Sequence, residues 1–181
     1  MAGYIIYTYS LSKFQDNVIG LRFDGKGIFV GVIIGIAFML IHKLIPVFAL
    51  GMPSLPLSLT NDVRAFIIVL MAPILEESWR SSVIGQIVDI YNVSPAKANL
   101  IQAPIFSALH FLAYGLVLGS YDKWIEIYGA FVAISGLFIA ALIAGYLFGW
   151  LMIKTKNVLP SQVGHGIING VLWTSGYAVF S

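Results

Sequence analysis

The sequence predicts an all-α membrane protein built from several transmembrane helices. Of its 181 residues, 59% are hydrophobic and only 10% are charged, and the mean hydropathy is +0.92. An ordinary soluble domain has roughly 25% charged residues, and a soluble fold of this length could not bury so much apolar surface. Ten basic and eight acidic residues provide no basic face for nucleic acid. The absence of cysteine excludes thiol catalysis, disulfide bonds and cysteine metal sites.

Five apolar segments are long enough to cross a bilayer, which takes about 20 mostly apolar residues. They cover residues 27–50, 62–91, 98–120, 127–153 and 157–180. The stretch 4–21 is short, mixed and rich in tyrosine, so we expect an interfacial helix or a short partial span there, and not a signal peptide. We expect one integral-membrane domain over residues 1–181, in which an N-terminal segment, 1–26, precedes the transmembrane core, 27–181.

Basic residues near the span ends predict a cytoplasmic N-terminus, because Lys and Arg accumulate on the cytoplasmic side of membrane proteins. The side that carries the N-terminus has Lys13, Arg22, Lys26, Lys97, Lys154 and Lys156. The opposite side has Lys43, Arg64 and Lys123. This bias places the C-terminus outside.

Four GxxxG pairs predict close packing between helices, since glycine lets two helix backbones approach in lipid. The pairs are Gly31/Gly35, Gly115/Gly119, Gly145/Gly149 and Gly166/Gly170.

Several polar side chains lie inside the predicted spans, where an ionisable group is costly unless it is paired or hydrated. They are Glu76, Glu77, Arg80, His110, His165 and Asn169. At about 1.5 Å of rise per residue, three spans bring Glu76, His110 and His165 to a similar depth in the inner half of the bilayer. A carboxylate and an imidazole that face one water can act together as a general base. A second imidazole and an amide can stabilise an oxyanion. This set is sufficient for amide hydrolysis by water.

The spacing of Arg80 lets it pair with either glutamate, because it follows Glu76 by four residues and Glu77 by three. Such a partner would keep a buried carboxylate ionised. Phe106 and His110 are also four residues apart, so they share one helix face.

These residues resemble the motifs of the CAAX-processing and bacteriocin-processing family of intramembrane proteases, the CPBP family. That family has a Glu-Glu pair followed by Arg, then Phe-x-x-x-His, then His-x-x-x-Asn, each on a separate membrane helix. Here the motifs read Glu76-Glu77-Ser78-Trp79-Arg80, Phe106-x-x-x-His110 and His165-x-x-x-Asn169. The resemblance covers about residues 19–175.

The resemblance implies an intramembrane endopeptidase in a multi-pass protein of a prokaryotic cell membrane. In it Glu76 and His110 would activate water. His165 and Asn169 would stabilise the oxyanion. The substrate would be a peptide or protein in the lipid bilayer, either a CAAX-type peptide with or without a prenyl group or a leader or transmembrane peptide. The supporting residues would be Glu77, Arg80 and Phe106.

One departure from the family pattern leaves two registers open. The family usually has three residues between Glu-Glu and Arg, and this chain has two, Ser78 and Trp79. If Glu76 is the first glutamate, the second glutamate and Arg80 are three residues apart and still meet. If Arg80 sets the register, Leu75 takes the catalytic place and the protein is an inactive relative. We favour the first register.

Two further alternatives concern metal and catalysis. Glu76, His110 and His165 form a donor set that zinc could use, but the chemistry also works without metal and the sequence contains no HExxH. We therefore expect no cofactor, with zinc as the alternative. The non-enzymatic alternative is a membrane scaffold or bacteriocin-immunity-like protein in which the same polar network is only structural.

Overall fold

The computed structural model describes residues 23–50, 67–118 and 124–174, and every regular element in these ranges is helical. The all-α class is therefore confirmed. The predicted interfacial segment 4–21 lies outside the described residues, as do 62–66 and 175–180 of the predicted spans. The elements are α1 (Gly25–Leu50), a π-helical turn (Ile67–Met71), α2 (Ala72–Tyr91), α3 (Pro95–Leu118), α4 (Trp124–Thr155) and α5 (Leu159–Thr174).

One stretch of the described helices, Phe138–Thr155 in α4, is long and apolar enough to cross a membrane by length and composition. A shorter apolar stretch, Gly25–Ile41, lies in α1. The other helices predicted to span are present, but α2 falls short of this measure because it carries four charged side chains. These are Glu76, Glu77, Arg80 and Asp89. The five-span topology remains a prediction.

Short turns join α2 to α3 and α4 to α5, so each pair runs antiparallel. Asn92 ends α2 in the left-handed conformation, with φ of 49°, which asparagine tolerates better than most residues. Pro95 then begins α3, where its missing N–H has no cost. Lys156 ends α4 with φ of 50°, and the Asn157 side chain accepts a hydrogen bond from the Leu159 N–H at 3.2 Å.

The helices pack chiefly as two pairs, α3 with α4 and α1 with α5, while α2 contacts α3 and α5. Glycine forms the α1–α5 contact: a Cβ on Gly164 would lie 2.6 Å from the Gly31 carbonyl, and one on Gly35 would lie 2.7 Å from the Gly164 carbonyl. The predicted role of the Gly31/Gly35 pair in close packing is thus confirmed. Gly119 lies outside the described residues.

A buried apolar cluster closes the end of the bundle where the two short turns lie. It joins the end of α2, the start of α3, the end of α4 and the turn before α5, and its members are Ile84, Ile87, Ala98, Met152 and Val158. The cluster fixes α2, α3 and α4 relative to one another at one end. The polar side chains of the predicted site lie further along the same helices.

Candidate active site

Three helices bring together the glutamate and the two histidines that the sequence singled out. Glu76 Oε2 on α2 lies 3.5 Å from His110 Nε2 on α3 and 3.6 Å from His165 Nε2 on α5. The Glu76 side chain is 32% exposed, although its Oε2 atom is buried. These residues are far apart in sequence, and only the packing of α2 between α3 and α5 makes them neighbours.

Hydrogen bonds at the far side of each ring determine what the histidines present to Glu76. His110 Nδ1 lies 2.9 Å from the Phe106 carbonyl oxygen, which can only accept, so this nitrogen carries a proton. His165 Nδ1 lies 2.8 Å from Glu77 Oε1 and donates to that carboxylate in the same way. In a neutral ring the Nε2 atom is then an acceptor. Neutral rings therefore both direct Nε2 lone pairs at Glu76, whereas a ring that carries two protons donates from Nε2 instead.

With both rings neutral, three acceptor atoms lie together at the centre of the site: Glu76 Oε2, His110 Nε2 and His165 Nε2. Glu76 Oε2 is buried and has no hydrogen-bond partner among the residues that the structure describes. Such an arrangement is stable only when a proton or an O–H donor lies between the acceptors. The site is therefore suited to binding and deprotonating a water molecule.

The second glutamate has a different environment. Arg80 donates to both oxygens of Glu77, from Nε at 2.9 Å and from Nη2 at 3.1 Å, and both side chains are fully buried. Because Glu77 Oε1 also accepts from His165 Nδ1, this carboxylate links the arginine to the histidine. The predicted Glu77–Arg80 pair is present, and it orients His165.

The other edge of the Arg80 guanidinium contacts groups that sequence reasoning missed. Nη1 donates to Gln102 Oε1 and to the Gly145 carbonyl, each at 3.1 Å. The sequence did contain a sign of the two side-chain amides, because Asn99 and Gln102 lie three residues apart within an apolar segment. The carbonyl of Gly145 has no sequence signal, because every residue carries one.

Aromatic rings complete the walls of the site. Phe106 lies under the guanidinium, with the Arg80 Cζ 3.8 Å from the ring centroid, and its centroid is 4.2 Å from that of His110. This contact is consistent with the supporting place predicted for Phe106. On the opposite side, Phe148 stacks on His165 with ring centroids 5.7 Å apart and planes inclined by 15°. Sequence reasoning missed Phe148, because one phenylalanine in an apolar helix gives no functional signal.

Asn169 lies one helical turn beyond His165 on α5 and is partly buried. The spacing of four residues puts its amide on the same helix face as the imidazole. Its predicted part in oxyanion stabilisation remains a proposal.

A family model for type II CAAX prenyl endopeptidase Rce1-like proteins matches residues 58–171, which is more than half of the chain. The chain belongs to this family. The match confirms the resemblance inferred from the three motifs, and the matched range contains all of them. The family is one of membrane-embedded proteases. No curated protein and no solved structure matches the chain.

Within this family, the geometry bears on the two registers that the shortened motif leaves open. Glu76 is the glutamate that faces both histidines, and Glu77 is the one paired with Arg80. Leu75, which the second register would place at the catalytic position, is 39% exposed. This geometry supports the first register, and the catalytic role that this register gives Glu76 stays a prediction.

The same three side chains are also the candidate metal ligands that the sequence suggests. Glu76, His110 and His165 supply ligand types that zinc takes. Among the described residues, however, no group of three His, Asp or Glu side chains is placed so that it could hold a metal ion.

Proposed function

We propose that the protein is a membrane-embedded endopeptidase that hydrolyses a peptide bond with water activated by Glu76 and His110, without a metal. The observation that carries the proposal is the convergence of Glu76 Oε2 with two imidazole Nε2 atoms at 3.5 and 3.6 Å. Membership of a protease family supports the reaction class.

In the first step, water donates one hydrogen bond to Glu76 Oε2 and the other to His110 Nε2. Glu76 takes a proton from the water as the water oxygen forms a bond to the substrate carbonyl carbon. The electron pair of the C=O double bond moves to the carbonyl oxygen, which becomes an oxyanion. A positioned general base of this kind contributes roughly 10²–10⁴-fold to the rate.

In the second step, His165 and Asn169 stabilise the oxyanion by donating hydrogen bonds to it. Since His165 Nδ1 donates to Glu77, its Nε2 can donate as well only when the ring carries two protons. Collapse of the intermediate breaks the C–N bond, and the electron pair leaves with the amine nitrogen. That nitrogen takes the proton from Glu76, which restores the carboxylate.

The substrate class follows from the family, whose description names CAAX prenyl endopeptidases. A prenylated CAAX peptide is therefore the first substrate to test. An unprenylated CAAX peptide, a leader peptide or a transmembrane segment are the others. We propose a single multi-pass domain with a cytoplasmic N-terminus, so that a site in the inner half of the bilayer meets substrates from the cytoplasmic side.

The test is cleavage of a peptide panel by purified protein in lipid nanodiscs. The panel contains prenylated CAAX peptides, the same peptides without the prenyl group, and transmembrane segments. We expect Glu76→Gln to lower kcat by about 10²–10⁴-fold, and Glu77→Gln, which leaves the water-activating pair intact, to lower it less. Wild-type rates in a folded Glu76→Gln variant would overturn the mechanism and leave Glu76 a structural residue.

A further inference from the structure

Two amide side chains of α3, Asn99 and Gln102, are buried beside Arg80 and have no part in the mechanism above. They are 2% and 0% exposed. An amide taken out of water costs roughly 1–3 kcal/mol unless its hydrogen bonds are replaced. Because these amides are buried in an apolar helix, their polar atoms need hydrogen bonds, and those bonds serve the fold or the site.

The Gln102 amide has one permitted orientation. Its Oε1 accepts from Arg80 Nη1 at 3.1 Å, and its Nε2 donates to the Gly145 carbonyl at 3.0 Å and to Asn99 Oδ1 at 2.8 Å. The reversed amide would direct N–H groups at the guanidinium and an oxygen at a carbonyl. Asn99 in turn donates to the Tyr146 carbonyl at 3.0 Å. The pair thus joins the backbone of α4 to Arg80.

These contacts hold the guanidinium on the edge that Glu77 does not reach. Glu77 binds one edge, Phe106 lies against the face, and Gln102 with the Gly145 carbonyl binds the other edge. Glu77 Oε1 accepts from both Arg80 Nη2 and His165 Nδ1. A shift of the guanidinium therefore moves the carboxylate and turns His165. A misplacement of 1 Å in a catalytic group can cost about 100-fold in rate.

The glycines of α4 make room for the amide pair. A Cβ on Gly145 would lie 2.9 Å from Arg80 Nη1, and one on Gly149 would lie 3.1 Å from Gln102 Nε2 and closer still to Asn99 Oδ1. The Gly145/Gly149 pair thus does more than bring two helices together. It lets the side-chain amides and the guanidinium reach the α4 backbone.

We propose that Gln102, held by Asn99, is a positioning residue for peptide hydrolysis. It fixes Arg80, so that Glu77 holds His165 Nδ1 and sets the direction of His165 Nε2. This inference rests on the proposed function. It also gives α4, which supplies no predicted site residue, a place in the site through its backbone carbonyls.

The experiment compares Gln102→Met, which keeps the length of the side chain but removes its polar atoms, with a matched control. Ser107→Ala is the control, because Ser107 is equally buried on α3 and donates to the Phe138 carbonyl of α4. Steady-state kinetics are measured on the best peptide of the panel, together with thermal unfolding. We expect Gln102→Met to lower kcat by about 10- to 100-fold with KM changed less than about twofold, and Ser107→Ala to leave kcat unchanged.

A double-mutant cycle with Arg80→Lys distinguishes an effect of Gln102 on the position of Arg80 from a general effect on packing. If Gln102 acts through Arg80, the double variant loses little more kcat than Arg80→Lys alone. Ser107→Ala leaves kcat unchanged in the wild-type and in the Arg80→Lys background. Asn99→Ala leaves the Arg80 contacts in place and should lower kcat by a smaller factor in the same direction. If Gln102→Met does not fold, the kcat of Asn99→Ala tests the inference in its place.

Two results would overturn the inference. One is a wild-type kcat in folded Gln102→Met or, where that variant is unfolded, in Asn99→Ala. The other is full additivity of Gln102→Met with Arg80→Lys. Failure of the proposed function looks different: wild-type protein leaves the whole panel uncleaved, or Glu76→Gln cleaves normally.

Discussion

Glu76 and Glu77 are adjacent in sequence, but their side chains lie in different environments. Glu76 is 32% exposed, and its nearest imidazole nitrogens are 3.5 and 3.6 Å away. Glu77 is fully buried and makes three contacts between 2.8 and 3.1 Å. Consecutive residues of a helix point about 100° apart, so one carboxylate faces the accessible centre of the site and the other faces the core.

The difference shows how one helix supplies two kinds of acid. Glu76 Oε2 has unused hydrogen-bonding capacity, which the proposed removal of a proton from water would need. A group that must hold a histidine and an arginine in place needs its capacity filled, and Glu77 has that. A buried ion pair adds little net stability, but removing one partner leaves an uncompensated charge. We therefore expect substitution of Glu77 to lower mainly stability and substitution of Glu76 to lower mainly activity.

Arg80→Met should have the largest effect on stability. It leaves the Glu77 carboxylate buried with its main partner gone, which typically costs about 3–5 kcal/mol in the free energy of unfolding. The measurement is reversible denaturation in mixed micelles. Lys97→Met, an exposed lysine on α3, should stay within about 0.5 kcal/mol of wild type. The double variant Glu77→Leu/Arg80→Met should recover part of the loss, and no recovery would argue against a buried charge as the cause.

Glu77→Gln and Glu76→Gln sharpen the comparison directly. Glu77→Gln removes the charge that Arg80 and His165 bind, and we expect a loss of about 1–3 kcal/mol in unfolding free energy. Glu76→Gln should cost less than about 0.5 kcal/mol, because few contacts depend on it, although it removes activity. Equal losses of stability in the two variants, by the same denaturation assay, would show that the two carboxylates do not differ as described.

Gly149→Ala tests whether α4 contributes to holding Glu77 in place. The added methyl meets Asn99 Oδ1, which is buried and accepts from Gln102, so we expect a loss of about 1–3 kcal/mol, the usual range for overpacking. Gly25→Ala is the matched control, since nothing lies within 4 Å of its added methyl. Thermal unfolding of both variants checks this. Equal melting temperatures would mean that the amide pair tolerates displacement.

Removal of metal should have the smallest effect. Because the proposed chemistry at Glu76 uses only side chains and water, kcat after dialysis against a strong chelator should remain within about twofold of the untreated value. Elemental analysis of the same samples is the accompanying measurement. Activity lost on chelation and restored by Zn²⁺, but not by Mg²⁺, would assign Glu76, His110 and His165 to a metal.

Much of the site could be predicted because polar side chains in apolar segments are conspicuous. Glu76, Glu77, Arg80, His110 and His165 stand out in this way, and the structure brings all of them together. The parts that escaped prediction have no such signal. A phenylalanine stacked on a histidine looks like any apolar residue, and a backbone carbonyl looks like every other one.

The sequence by itself determined the helices, since long apolar segments broken by Asn, Pro and Lys leave few other folds for a chain of this composition. It also determined which residues could react. It could not determine which glutamate pairs with Arg80, because Arg80 is within reach of Glu76 at four residues and of Glu77 at three. Tertiary structure decided that: Gln102 and the Gly145 carbonyl hold Arg80 on the buried side of α2, where only Glu77 can pair with it. Glu76 is thereby left facing the two histidines.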